Sequence, residues 1–340
     1  MHRIVRLALS LLQVDRPDRT GGFNALWLLA ATAILPACES LRPIGNAAQF
    51  EPLDSRVRLT LTQRLDSGTS LQVRGSAAGL AGRGNIFVGH VGAIAASGSD
   101  IYVIDWASGA LLRIDPGLRE ATYLARLANP MTHGLYASRN GTVYFVDKAA
   151  RAVRQIDRDG RPMESFEDLN YAPSPVDVTE SDWGSTVVVA DELARQLVVF
   201  SPLGVAINVL GANDRRLAIA QVLHAIAGSR DSIFVLDSSA NEVMRFDLRG
   251  RQTGSYGEDD LEMPTALAVD DCGRLFVADS SGAGILVSSF DMRVPPVRAI
   301  QNFPAERVVN DIWIDGQFLY LAAGDEGIRV YLVEPACSAY

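Results

Sequence analysis

Six polar residues lie at matching places along the chain, and their side chains could bind a metal ion or a polar ligand. Each lies 12 to 15 residues before the end of a recurring five-residue motif: His90, His133, Asp177, His224, Asn310 and Asp311. Imidazole with carboxylate suits Zn2+ or another transition-metal ion. Two plainer interpretations need no cofactor. One is that these side chains line the opening of a polar ligand-binding site. The other is that they form hydrogen bonds to nearby backbone groups.

Other sources of catalytic chemistry are scarce in the sequence. It contains no GxSxG, HExxH, P-loop or CxxC pattern. Cys272 and Cys337 form an even pair, which in an oxidising compartment suggests a disulfide, and two separate thiols are the alternative. We expect Trp106 to pack at the protein surface or between neighbouring structural repeats (blades).

A repeated motif must position the six polar residues. Four apolar residues closed by Asp start at residues 101, 143, 187, 233 and 275, and a degenerate copy without the Asp starts at 319. Such a fixed period is typical of radial or stacked repeats. An Asp that ends a strand before a turn accepts hydrogen bonds from backbone N–H groups. The five repeat aspartates are therefore predicted to be structural.

Each repeat is predicted to fold into four short strands. In the fifth repeat the apolar segments at 264–270, 275–278, 285–290 and 297–303 are separated by turn residues, which is the β pattern. Four strands per repeat fit the blade of a propeller, whose radial closure protects the sheet edges. We predict an all-β fold: a six-bladed β-propeller of four-stranded antiparallel blades.

Closure of the ring is expected to need the N-terminal side of the chain. The sixth repeat ends soon after its third strand, at 328–333. Its outer strand must then come from an earlier segment, and 70–74 and 85–88 are the two candidates.

Two of the repeats resemble a known family. The segment 263–281, Met-Pro-Thr-Ala-Leu-Ala-Val-Asp-Asp-Cys-Gly-Arg-Leu-Phe-Val-Ala-Asp-Ser-Ser, resembles an NHL repeat, and 232–250 is similar to its second half. The resemblance extends over about residues 85–335 and implies a six-bladed propeller. Propellers of this kind serve many roles, so it implies the fold more than the function.

The N-terminal segment resembles the leader of a bacterial lipoprotein. Residues 23–37 form an uncharged run of signal-peptide length. It ends in Leu35-Pro36-Ala37-Cys38, similar to a lipobox, which implies lipid on Cys38 and an outer-membrane location facing the periplasm. We expect a signal peptide at 1–37 with a surplus extension at its start, a lipidated Cys and linker at 38–55, and the propeller at 56–340. Plain secretion to the periplasm is the alternative.

Charge and composition narrow the classes of partner. The chain has 340 residues and a net charge of −9, with no basic run, so nucleic acid is not an expected partner. The membrane is expected to be contacted through the lipid anchor. The first functional hypothesis is a binding or scaffold module for an envelope protein, peptide or glycan. We expect no cofactor under this first hypothesis. The second hypothesis, which is implied by the resemblance to metal-binding propellers of similar shape, is a metal-dependent lyase or lactonase-type hydrolase with Zn2+ or Ca2+ at the channel mouth.

Overall fold

The protein is described from a computed structural model. It describes residues 57–76, 84–167, 170–181, 186–210, 223–229, 231–257, 259–281, 284–288, 297–301 and 308–337. The predicted signal peptide, Cys38 and the linker lie outside these residues. Within the described ranges all regular structure is β-strand, and none of these segments is a helix that could span a membrane.

The described part of the chain forms 26 strands. In chain order they are β1 (Arg58–Leu65), β2 (Ser70–Ser76), β3 (Asn85–Phe87), β4 (Val91–Ser97), β5 (Asp100–Asp105), β6 (Ala110–Ile114), β7 (Glu120–Arg126), β8 (Leu135–Ala137), β9 (Val143–Asp147), β10 (Ala152–Ile156), β11 (Pro175–Ser181), β12 (Thr186–Asp191), β13 (Gln196–Phe200), β14 (Ala206–Leu210), β15 (Leu223–Gly228), β16 (Ser232–Asp237), β17 (Glu242–Asp247), β18 (Gln252–Tyr256), β19 (Pro264–Val269), β20 (Leu275–Asp279), β21 (Gly284–Ser288), β22 (Val297–Arg298), β23 (Ile300–Gln301), β24 (Asp311–Asp315), β25 (Phe318–Ala322) and β26 (Ile328–Glu334).

These strands form six blades, as the sequence predicts. The first blade contains β4 to β7, the second β8 to β10, the third β11 to β14, the fourth β15 to β18, the fifth β19 to β22, and the sixth β24 to β26 with β1. In the second blade the fourth position holds two isolated bridges, Val153 with Phe166 and Ile156 with Pro162. The first strand of each blade lines the central channel.

The ring closes with an N-terminal strand, but the predicted candidates for it are wrong. The outer strand of the sixth blade is β1, which pairs antiparallel with β26. The segments predicted for this role, β2 and β3, instead extend the outer edge of the first blade, where β2 pairs parallel with β7. The fourth predicted strand of the fifth repeat is also divided, because β23 pairs with β1 of the sixth blade.

The apolar runs of the motif are buried on both sides because every blade packs between two others. In β12, Val188 packs with Ile233 of the fourth blade, while the next residue, Val189, packs with Tyr144 of the second. Both valines are fully buried. Adjacent residues of a strand point to opposite faces, so a sandwiched blade needs apolar residues at every position.

The repeat aspartates cap backbone groups, which confirms their predicted structural role. Asp105 accepts hydrogen bonds from the N–H groups of His90 at 2.7 Å and Ala107 at 3.3 Å. Asp279 likewise accepts from Glu262 at 2.8 Å and Ser281 at 2.9 Å. Each of these carboxylates therefore ties its turn to the segment that leads into the inner strand of the same blade.

The two cysteines of the propeller are joined by a disulfide. Cys272 lies in the turn between β19 and β20, and Cys337 follows β26. Their Cα atoms are 5.7 Å apart. The bond attaches the end of the sixth blade to the fifth, next to the place where β1 closes the ring.

Candidate functional site

The inner strands all begin at the same end of the channel, here called the entry mouth. Four inner strands have a bulge at their second residue, where the pairing register with the second strand of the blade shifts. These strands are β4, β11, β15 and β19. Counting back from the motif shows that the predicted site residues share this neighbourhood. The bulge position is held by Gly92, Val176, His224 and Thr265, and the equivalent residues are His133 and Asn310. The side chain of His224 lies outside the described part of the structure.

His90 is held by hydrogen bonds on both ring nitrogens. Its Nδ1 lies 2.7 Å from Oδ1 of Asp325, and Asn310 Nδ2 lies 3.0 Å from its Nε2. The same amide donates to the carbonyl of Val91 at 3.0 Å. Because an amide nitrogen only donates, Nε2 of His90 is the acceptor and Nδ1 carries the proton. The imidazole therefore joins the first blade to the sixth.

Trp106 contacts both described histidines of the entry mouth. Its ring stacks on His90 with the centroids 5.3 Å apart, and it meets His133 edge-to-face at 5.2 Å. The indole N–H donates to the carbonyl of Thr132 at 3.1 Å. It lies directly over Gly92, where a Cβ atom would come within 1.8 Å of the indole nitrogen. The sequence predicts a packing role for Trp106, and in the structure its indole also contacts the site residues His90 and His133.

Asp177 and Asp311 occupy equivalent positions on opposite walls of the channel, in the third and sixth blades. Asp177 accepts the N–H of Ile226 at 2.7 Å, and Asp311 accepts the N–H of Ile94 at 2.9 Å. In each case the donor belongs to the inner strand of the next blade. Since inner strands have no sheet partner on their channel side, these carboxylates satisfy otherwise unpaired backbone groups.

The same two carboxyl groups have strongly raised pKa values. Burial raises the pKa of Asp177 to about 7, against two backbone hydrogen bonds that lower it. Burial also raises the pKa of Asp311 well above its usual value, and the negative charge of Asp177 adds to this. A carboxyl group that titrates near neutral pH can hold or release a proton under physiological conditions.

The channel below the entry mouth is narrow and acidic. It contains a cavity of about 140 Å3. The acidic and basic residues that line it are His133, Arg139, Asp177, Asp270, Asp271, Asp311 and Asp315. Arg139 pairs with Asp271, and the rings of Tyr136 and Trp313 meet with their centroids 4.9 Å apart.

Exposed apolar side chains lie at the entry mouth in the second, fifth and sixth blades. Met131, Met263 and Val308 each lie two residues before the bulge position of their blade, and the exposed fractions of these residues are 63%, 59% and 59%. We call them the apolar rim. Asp325, whose side chain is 88% exposed, adds a negative charge beside it.

The predicted site residues do not form a compact ligand set in the described part of the chain. The potential metal ligands that converge within 4.8 Å there are Asp270, Cys272 and Cys337, whose two sulfur atoms are bonded to each other. His90, Asn310 and Asp311 share one side of the mouth, and Asp177 lies across the channel. Asp325 was not predicted, because it lies in the sixth repeat, where the motif Asp is replaced by Ala323.

Comparison with known proteins identifies the fold. No protein-family model and no curated protein matches the chain. Among solved structures, virginiamycin B lyase from Staphylococcus aureus is similar over 81% of this chain and 99% of its own, with a TM-score of 0.55 and 14% identity. A gluconolactonase from Xanthomonas campestris is similar over 82% of this chain and 100% of its own, with a TM-score of 0.55 and 15% identity. At these identities the likeness establishes the fold, a six-bladed β-propeller.

Proposed function

We propose that the protein is an NHL-type propeller lipoprotein of the bacterial outer membrane that binds a protein, peptide or glycan partner at its entry mouth. In this proposal lipid on Cys38 anchors the chain, and the ring faces the periplasm. The propeller acts as a binding or scaffold module.

The apolar rim is the observation that carries the proposal. Met131, Met263 and Val308 present exposed apolar surface at one end of the channel, at equivalent positions of three blades. Met131 and Met263 belong to opposite blades, the second and the fifth, so a partner that covers the mouth contacts both, and methionine adapts to varied partners. Behind the rim, the imidazole of His90 is already hydrogen-bonded within the protein to Asp325 and Asn310. Such a mouth is better suited to holding a partner than to activating a nucleophile.

Site-specific photo-crosslinking in intact cells tests this binding surface. A photoreactive phenylalanine analogue replaces Met263 on the rim, and in a control it replaces Phe318. Phe318 begins β25 beside the turn at the opposite end of the channel and is 41% exposed. We expect a discrete covalent adduct from position 263 and none from 318. Adducts at both positions, or at neither, would contradict a partner at the entry mouth.

The anchor is tested separately with a clickable fatty acid. We expect labelling of the wild-type protein and none of Cys38→Ala. An unlabelled wild type would leave a secreted periplasmic propeller as the better description.

A metal-dependent lyase or lactonase-type hydrolase is the second candidate. Asp177 favours it, because a channel carboxyl with a pKa of about 7 suits general acid–base catalysis. The lyase and the gluconolactonase similar to this chain are propeller enzymes. His90 fits a metal poorly, since both its nitrogens are hydrogen-bonded to Asp325 and Asn310. Elemental analysis for Zn2+ and Ca2+ decides: stoichiometric metal that is lost in Asp311→Ala would favour the enzyme.

A further inference from the structure

In the described part of the structure, the outer edge of the third blade is a strand without a covering element. Its last strand, β14, ends the sheet order β11-β12-β13-β14. In the first blade the edge strand is covered by β2 and β3, and in the sixth by β23. The fourth blade also ends in an uncovered strand, β18, but its exposed residues are polar: Gln252, Thr253 and Ser255.

Exposed apolar side chains follow the β14 edge. Leu203 is 80% exposed, Val205 61% and Ile207 57%, and we call these three residues the apolar stripe. Met163 of the second blade, 48% exposed, lies on the side where that blade packs against the turn before β14. Residues 201–213 contain no charged side chain. Uncovered edge strands normally carry charges, Pro, a bulge or a covering element, because a bare apolar edge pairs with other strands. In β14 the protection is one bulge, at Ile207, and the strand carries no charge.

The occupant of this edge must supply backbone groups as well as apolar surface. A strand at the end of a sheet presents N–H and C=O groups on its outer side, and hydrocarbon chains of a membrane cannot satisfy them. A second β-strand satisfies them and covers the apolar stripe at the same time.

We propose that two copies of this chain associate through antiparallel pairing of their β14 strands, with the apolar stripes packed against each other. Like strands meet in this way about a two-fold axis, so each copy offers the same surface and the assembly closes as a dimer. The absence of charge along 201–213 favours a second copy, because a charged strand would meet its own charge on the partner.

The size of the contact sets the expected strength. Specific interfaces bury roughly 1,200–2,000 Å2 in total, and weaker ones less. Two five-residue strands and a few apolar side chains per copy make a contact that is small on this scale. We therefore expect a dissociation constant in the micromolar range. Confinement of anchored copies to a membrane surface would raise the dimer population.

Sedimentation velocity of the full-length chain in mild non-ionic detergent, over a hundredfold range of concentration, tests the proposal. We expect a monomer–dimer equilibrium for the wild type. Ile207→Lys places a charge on each copy of the edge and should weaken the dimer at least tenfold. The matched control is Thr253→Lys, since Ile207 and Thr253 are the residues skipped at the equivalent bulges of β14 and β18. This control should leave the equilibrium unchanged.

A cysteine at Asn208 gives a second measurement that does not depend on the lysine variants. Asn208 lies at the middle of β14, so Asn208→Cys should form a disulfide-linked dimer on mild oxidation, and Ser255→Cys on β18 should not. A wild type that stays monomeric at all concentrations overturns the proposal, as does a dimer that Ile207→Lys leaves intact. Binding of the monomer to lipid vesicles through Ile207 would assign the stripe to the membrane and would also overturn it.

Discussion

Removal of the Cys272–Cys337 disulfide should destabilise the propeller by about 4 kcal/mol. The two cysteines are 65 residues apart in sequence, and a cross-link reduces the entropy of the unfolded chain according to the length of the loop that it closes. The chain-entropy relation for a loop of this length gives about 4 kcal/mol at 25 °C. The closed loop contains all three C-terminal strands of the sixth blade, β24, β25 and β26.

The experiment compares the wild type with the double variant Cys272→Ser and Cys337→Ser in thermal and urea unfolding. For a domain of this size we expect the Tm of the double variant to be about 7 °C lower. A reducing agent should lower the Tm of the wild type to that of the variant and leave the variant unchanged. Equal stability of the oxidised wild type and the double variant would refute the reasoning. So would a reducing agent that affects both proteins equally.

Two further predictions concern ring closure and the channel carboxyl group. Leu59→Ala on β1 should lower the free energy of urea unfolding by about 3 kcal/mol, because Leu59 is fully buried. Leu61 on the same strand is 38% exposed, so Leu61→Ala should lower it by about 1 kcal/mol or less. Equal losses in the two variants would argue against β1 as the closing strand. Asp177 has a folded pKa of about 7, above its unfolded value, so the folded state binds more protons between about pH 4 and 7 and its stability falls as pH rises through this window. In Asp177→Asn the free energy of unfolding, measured from pH 4.5 to 7.5, should lack this dependence on pH, which is at most about 1.4 kcal/mol per pH unit. Identical pH profiles of the two proteins would contradict a buried carboxyl group with a raised pKa.

The architecture was predictable because the continuous apolar run of each motif copy indicates a strand that is buried on both faces. A run such as Val187–Ala190 has no polar alternation, which is the pattern of a strand buried on both faces, and the turn residues around each run exclude a long helix. The period then fixes the number of blades, and the Asp at the end of each run predicts the turn that follows.

The closing strand was harder to find. In β1 the buried residues include Leu59 and Leu65, and most of the others are exposed, since the strand lies near the rim of its blade. Its sequence, Arg-Leu-Thr-Leu-Thr-Gln-Arg-Leu, resembles a surface segment. Which N-terminal segment pairs with β26 depends on backbone hydrogen bonds between distant parts of the chain, and these leave little trace in composition.

The site residues also divide into those that the sequence predicts and those that it does not. Alignment on the motif predicts that His90, His133, Asn310 and Asp311 share one end of the channel, because the inner strands run in the same direction. It does not predict Asp325, which follows the degenerate copy. A signal for Trp106 was present, since it is an aromatic residue directly after Asp105, where the other motif copies have Lys, Glu or Ser.

The sequence by itself therefore determined the repeat, the all-β class, the six blades and the structural role of the motif aspartates. These follow from local periodicity and from burial, which act on every copy alike. The tertiary structure decided which strand closes the ring, that Cys272 and Cys337 are bonded, and that Asp177 and Asp311 face each other across the channel. Each of these depends on distances between residues far apart in the chain, which are set only when the six blades pack around a common axis.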